Sequence, residues 1–304
     1  TASNNTAVGF ESLCANTTGA INTAVGTRAL RANTTGTSNV AVGCDALGAN
    51  TTGDENTIIG REAGCSNTIG NCNTALGLRS LKSNTEGNGN IAIGYHALCT
   101  NTTGSVNLAI GFCAMQSNLT GTSNTAVGAN ALQENTTGTD NTVVGRSAMA
   151  KTTTGLCNTS MGGNALACNT TGCYNSAFGR DALCANQTAN NNTAVGLSAL
   201  KANTTGTTNV AVGGNALDAN TTGNNNTALG YNSLTANTTA ADNTAVGNSS
   251  LALNTEGHSN TAVGLGAVYA NTTGDNNTGI GYKALESNTT ASNNTAVGCG
   301  AGTA

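Results

Sequence analysis

The residues Asn5 to Gly9, Asn-Thr-Ala-Val-Gly, return every 17 residues as far as Asn294, and the 18 copies contain no insertion or deletion. A helical hairpin needs a longer period than this. One coil of a solenoid, leaning on the coils before and after it, fits the spacing. With Asn as position one, position five is Gly throughout, from Gly9 to Gly298. Position four is always apolar, as in Val8, Ile59, Leu76, Met161 and Phe178, and position two is mostly Thr. Position three is usually Ala, with Ile58 and Val143 as larger exceptions.

Positions two and four alternate with position three, which is strand logic, and Thr and Val are β-branched. Side-chain size and hydrophobicity place positions two and four inward. Position eight is Ala or Ser, and position nine is Leu, Met or Val except at Gly64 and Gly302. Strict alternation cannot bury two neighbours, so the chain must bend there, in an arc or a single helical turn. The Gly residues at five and fifteen suit corners that need positive φ or close backbone approach. Asn at positions one and twelve is expected to stack in amide columns from coil to coil. The fold class expected is all-β: one elongated β-solenoid (β-roll) of about 18 coils, a single domain over residues 1–304 without separate caps.

Composition supports a thin core. The chain has 304 residues and is 8% charged, with no Pro and no Trp, whereas a globular domain is about 25% charged. A Pro would cost the ladder a donor. The net charge is −4, and Lys and Arg form no stripe, so nucleic acid is not an expected partner. The sequence holds no long apolar run, so no membrane insertion is expected. No signal peptide stands at Thr1, and the chain begins in mid-repeat, which reads as a processed product or an excerpt.

Positions six, seven, ten, sixteen and seventeen vary and are expected to face outward. Phe10, Tyr95, Phe112, Tyr231 and Tyr282 all occupy position six and form a candidate exposed aromatic edge, either as cover for a corner or as a stripe for a partner, glycan or sister filament. The 11 cysteines lack zinc spacing. Neighbouring coils stand about 4.8 Å apart, within disulfide reach. The candidate pairs are Cys157 with Cys173, Cys168 with Cys184, Cys99 with Cys113 and Cys44 with Cys65, against free thiols at tolerant sites. Cys14 and Cys299 would stand in the same relation as Cys44 and Cys65 if one chain stacked on the next. Ala304 and Thr1 would continue the register with a gap of two positions, which favours head-to-tail polymerisation through open solenoid ends.

Asn-x-Thr recurs at position twelve, at Asn16, Asn33, Asn50, Asn101, Asn118, Asn135, Asn169, Asn186, Asn203, Asn220, Asn237, Asn271 and Asn288. These are glycosylation candidates if the chain is secreted, or turn residues with local hydrogen bonds. His96 and His258 have no constellation around them, and the acidic residues form no cluster. No nucleophile, base and orienter set is visible, so neither an enzyme nor a cofactor or metal is expected. Ice binding would need a flat outward Thr-x-Thr face, and the inward placement of position two argues against it.

The run Asn-Thr-Ala-Val-Gly-x-x-Ala-Leu resembles the head repeats of trimeric autotransporter adhesins. With Asn-Thr-Thr-Gly after it, it looks more like the repeat arrays of phage and bacterial tail-fibre-like proteins. The resemblance spans the whole chain. It implies a β-roll, an elongated protein outside the cell or on a cell or virion surface, and a fibre or attachment role. The expected function is therefore a structural filament subunit whose partners are copies of itself, as a head-to-tail polymer or a homotrimer. The alternative is a shaft or head segment that binds a cell surface or its glycans.

Overall fold

The computed structural model describes residues 2–302. Thr1 and Ala304, on which the joining register of the chain ends depends, lie outside the described residues. The fold is an all-β solenoid with one three-residue strand per coil, covering positions two to four of each repeat. The chain forms two compact units, Thr1–Thr154 and Gly155–Ala304. The first carries nine strands from β1 (Thr6–Val8) to β9 (Thr142–Val144), and the second nine from β10 (Thr159–Met161) to β18 (Thr295–Val297). Within each unit, consecutive strands pair in parallel and like positions face each other: Thr6 pairs with Thr23, and Thr227 with Thr244.

Within each unit, each coil bonds the next at several positions around its circumference. Position two donates forward, as in Thr23 N–H to the Asn39 carbonyl at 2.8 Å, and so does position nine, Leu30 N–H to Ala46 at 3.0 Å. Positions five and seven donate backward, Gly26 to Val8 and Arg28 to Phe10, both at 2.8 Å. At position five the backbone takes φ near +135°, and a Cβ on Gly26 would stand 2.6 Å from the Gly43 carbonyl oxygen. Only glycine fits there. Position fifteen lacks positive φ; Ala189 and Ala240 occupy it, buried, so it requires a small residue instead.

The bend at positions eight and nine is real, but it is not a helical turn. Positions seven and nine take φ between about +50° and +60° (Arg28 59°, Leu30 51°), while position eight does not. This change of backbone hand replaces strand alternation and lets Ala29 and Leu30 both point inward, fully buried.

The strand facing expected from the sequence is reversed. Position three is the inward one: Ala24, Ala41, Ala194 and Ala211 are fully buried. Positions two and four face out, with Val195 38% and Leu229 47% exposed. The reason is space. Position nine already fills the coil, and position three lies against it. A Cβ on Gly279, at position three, would stand 2.5 Å from Val268 Cγ2, at position nine of the preceding coil. In coil four the sizes are exchanged: Ile58 takes the interior, and Gly64 leaves room for it, with its Cβ direction 3.3 Å from Ile58 Cγ2.

Both expected amide columns are present. Asn39 N–H donates to Asn22 Oδ1 at 3.0 Å, and Asn39 Nδ2 reaches the Gly53 carbonyl at 2.8 Å. Asn50, at position twelve, donates to Asn33 Oδ1 and to the same Gly53 carbonyl, both at 2.9 Å. The two amides thus clamp one carbonyl from opposite sides and satisfy polar groups that burial would otherwise penalise. Thr152 interrupts the second column and leaves Asn135 Oδ1 buried without a partner.

Candidate functional site: an uncharged outward strand face

Turning position four outward gives each unit an exterior column of apolar side chains. In the second unit it includes Met161, Phe178, Val195, Leu229, Ile280 and Val297, between 36% and 69% exposed. Position two forms a parallel column, mostly Thr, with apolar Val210 38% exposed and Ile91 39% exposed in the first unit. The ten Lys and Arg and fourteen Asp and Glu of the chain all fall outside positions two, three and four. An exposed strand face without a single charge departs from ordinary solvated surface and has the composition of an interface.

The aromatic edge lies beside this face. Phe10, Tyr95, Phe112, Tyr231 and Tyr282 are all exposed, from 42% to 70%. Tyr95 and Phe112, from adjacent coils, stack with centroids 5.2 Å apart and planes 10° apart. Tyr95 also stacks on His96 at 4.1 Å, and burial pushes the His96 imidazole below its ordinary value.

Charge gathers at a corner instead. Glu62 receives Arg79 Nε at 2.8 Å, an Arg61 amine at 3.2 Å and Lys82 Nζ at 3.4 Å. The Arg79 hydrogen bond is the main force holding its carboxyl down, to about 2. A notch of about 280 Å³ opens beside it, where Gly48 leaves column ten without a side chain. Among the described residues, no group of three or more His, Cys, Asp or Glu side chains is placed to hold a metal ion.

A third polar column went unnoticed in the sequence. At position sixteen a short side chain accepts the N–H of the preceding coil: Thr37 to Asp54 at 2.6 Å, Leu156 to Cys173 Sγ at 3.4 Å, Ala241 to His258 Nδ1 at 3.0 Å. The signal was the recurrence of Asn, Asp and Ser at that position, interrupted by Thr, Ala and Leu so that it resembles free variation.

The disulfides expected within the chain, Cys157–Cys173, Cys168–Cys184, Cys99–Cys113 and Cys44–Cys65, are not formed: all eleven cysteines are free thiols. Exact 17-residue stacking puts residues 14, 16 or 21 apart into different columns. Several thiols engage a group of their own column or turn instead. Cys173 Sγ serves Leu156 N–H and the Thr171 carbonyl, away from exposed Cys157. Cys65 donates to the Lys82 carbonyl at 3.7 Å, away from exposed Cys44. Cys168 N–H donates to the Cys184 carbonyl at 3.0 Å, and Cys168 is one of the neighbours that push the Cys184 thiol up. Cys99 and Cys113 are buried, and burial pushes the thiols of Cys65, Cys99, Cys113 and Cys184 up. Cys14 and Cys299 are exposed thiols.

The glycosylation expectation fails on geometry as well. Asn33, Asn50, Asn101, Asn118, Asn135, Asn169, Asn186, Asn203, Asn220, Asn237 and Asn271 are fully buried. Their Nδ2 hydrogens are used inside the wall, as for Asn50, and a sugar would displace one and find no space. Asn16 and Asn288 are half-buried. The Asn of the sequon belongs to the amide column, the middle residue bonds the next coil through its hydroxyl, as Thr51 does to the Thr68 carbonyl, and the sequon Thr, such as Thr52, is an exposed turn residue.

No family model and no curated protein matches this chain.

Proposed function

We propose that the chain is a structural subunit of a multichain fibre, working outside the cell or on a cell or virion surface. The observation that carries the reading is the uncharged, half-exposed strand face repeated coil after coil. A surface with one contact motif repeated at a fixed rise suits assembly better than recognition of a single small ligand. Three polar columns add rigidity along the solenoid, which a shaft needs. Electron microscopy of native material tests this. Rods or fibres wider than one solenoid are expected, and isolated single-chain particles would overturn it.

The aromatic edge favours a second reading, a fibre segment that attaches to a surface. Stacked Tyr95 and Phe112 offer a flat apolar rim of the kind sugar rings pack against. Binding to a glycan array that is lost in Tyr95→Ala/Phe112→Ala would support attachment. Head-to-tail joining is compatible with both readings.

A further inference from the structure

We infer that the outward strand face of positions two and four is where a second copy of this chain packs laterally, side to side. The inference deepens the fibre reading and rests on it. Three observations select the occupant. The first is charge. Positions two and four carry no ionisable group in any coil, although they are exposed. A charged partner surface would be desolvated there without compensation, so the partner surface is also uncharged. This chain's own face meets that condition, and its other sides do not: Glu62, Arg28, Asp181 and Lys283 lie at position seven.

The second is period. The aliphatic side chains recur at one fixed rise per coil, and like positions face each other strand after strand. A partner keeps every one of them in contact only if its own relief has the same rise. A second copy has it by construction. The sizes along the column are uneven, Phe178 then Val195, or Val212 then Leu229, so its relief is not flat. The same unevenness disfavours a flat mineral or ice lattice. The Thr column of position two does face outward, contrary to the sequence expectation, but Val, Leu and Phe stand where the second Thr row would be.

The third is area. Nine coils at about 4.8 Å, each about 10 Å wide, make a strip of roughly 430 Å² per unit. A stable interface takes about 800 Å² from each partner, of which one unit's strip makes up about half.

The test uses the full chain in sedimentation velocity over a concentration series, with thermal melts by circular dichroism. Wild type is expected to self-associate. Val195→Lys/Leu229→Lys is expected to keep the wild-type melt and to associate about 100-fold more weakly. Thr205→Lys/Thr222→Lys, which adds the same charge at the exposed turn, is expected to change nothing. If the lysine face variant does not fold, Val195→Thr/Val212→Thr decides, with association expected to weaken about tenfold. A wild type that stays single up to about 100 μM overturns the inference. So does association that survives the face variants, in which case the fibre reading stands through another contact. Pairing through this face with no fibres in the microscope supports the inference and ends the fibre reading. Thermal hysteresis by a strictly monomeric wild type assigns the face to ice and overturns the second copy.

Discussion

The two sides of one strand differ in a way that reverses the usual expectation. In Thr193–Val195 the small residue, Ala194, is fully buried, and the larger apolar Val195 is 38% exposed. Hydrophobicity does not choose the inward side here; volume does. Leu200, at position nine, enters the same coil fully buried and leaves the strand only a methyl's worth of room. The outer side is then free to be larger, yet in every coil it is kept free of charge. A narrow solenoid thus has two uncharged layers: one buried by folding, and one exposed on the outer strand face.

A charge placed on either side should separate the layers sharply. Ala194→Asp buries a carboxylate with no partner, which costs several kcal/mol and should unfold the second unit or lower its melting temperature drastically. Val195→Asp, one residue on, should change the stability of the single chain by less than about 1 kcal/mol. Equal losses in chemical denaturation would mean that the strand faces are assigned wrongly.

The exchange of sizes in coil four sharpens the same point at a smaller scale. Ile58→Ala leaves a cavity that the neighbouring Gly64 cannot fill, at a cost of about 2–4 kcal/mol. Gly64→Leu alone overpacks against Ile58 and costs about 1–3 kcal/mol. Together the two changes restore the consensus coil, so the double variant should lie well above the sum of the single losses. Additive losses in a double-mutant cycle would show that the two side chains do not share one space.

Much of this was legible. Invariant spacing identified the solenoid, the Asn columns announced their ladders, and paired burial at positions eight and nine forced a bend. The facing of the strand was not legible, because Thr-Ala-Val alternates equally well in either sense and only the reach of Leu across the coil breaks the tie. The thiol pairs looked close because coil spacing is short. Column position decides what a side chain touches, and a one-residue offset from the repeat turns Cys173 toward Leu156 rather than Cys157. The Asn-x-Thr turns were correct as turns and misleading as sequons, since burial of the amide is invisible in a motif. The coupling of Ile58 to Gly64 was present as two deviations in one coil, but their shared cause is steric and needed the fold.

The gap in the position-twelve column offers a smaller effect, of opposite sign. Asn135 Oδ1 is buried without a partner because Thr152 stands where an amide donor recurs elsewhere. Thr152→Asn should supply the missing N–H and stabilise the first unit by about 1 kcal/mol, visible as a higher denaturation midpoint. No gain would mean that the column tolerates its own interruption.

The charged corner gives the smallest effect and the clearest contrast with the neutral face. Glu62 lies under Arg79, Arg61 and Lys82, and its carboxyl is held from 4.5 down to about 2. A lowered carboxyl stabilises the folded chain above its unfolded value, and that contribution fades as pH falls from about 4.5 to about 2. Because the corner is open to solvent, the gain over Glu62→Gln should be slight at neutral pH, should shrink with added salt and should vanish near pH 2. Lateral association through an ion-free face should not follow that titration. Melts of wild type and Glu62→Gln against pH, run beside sedimentation at the same pH values, would separate the two. Association that tracked Glu62 would move the contact from the strand face to the corner.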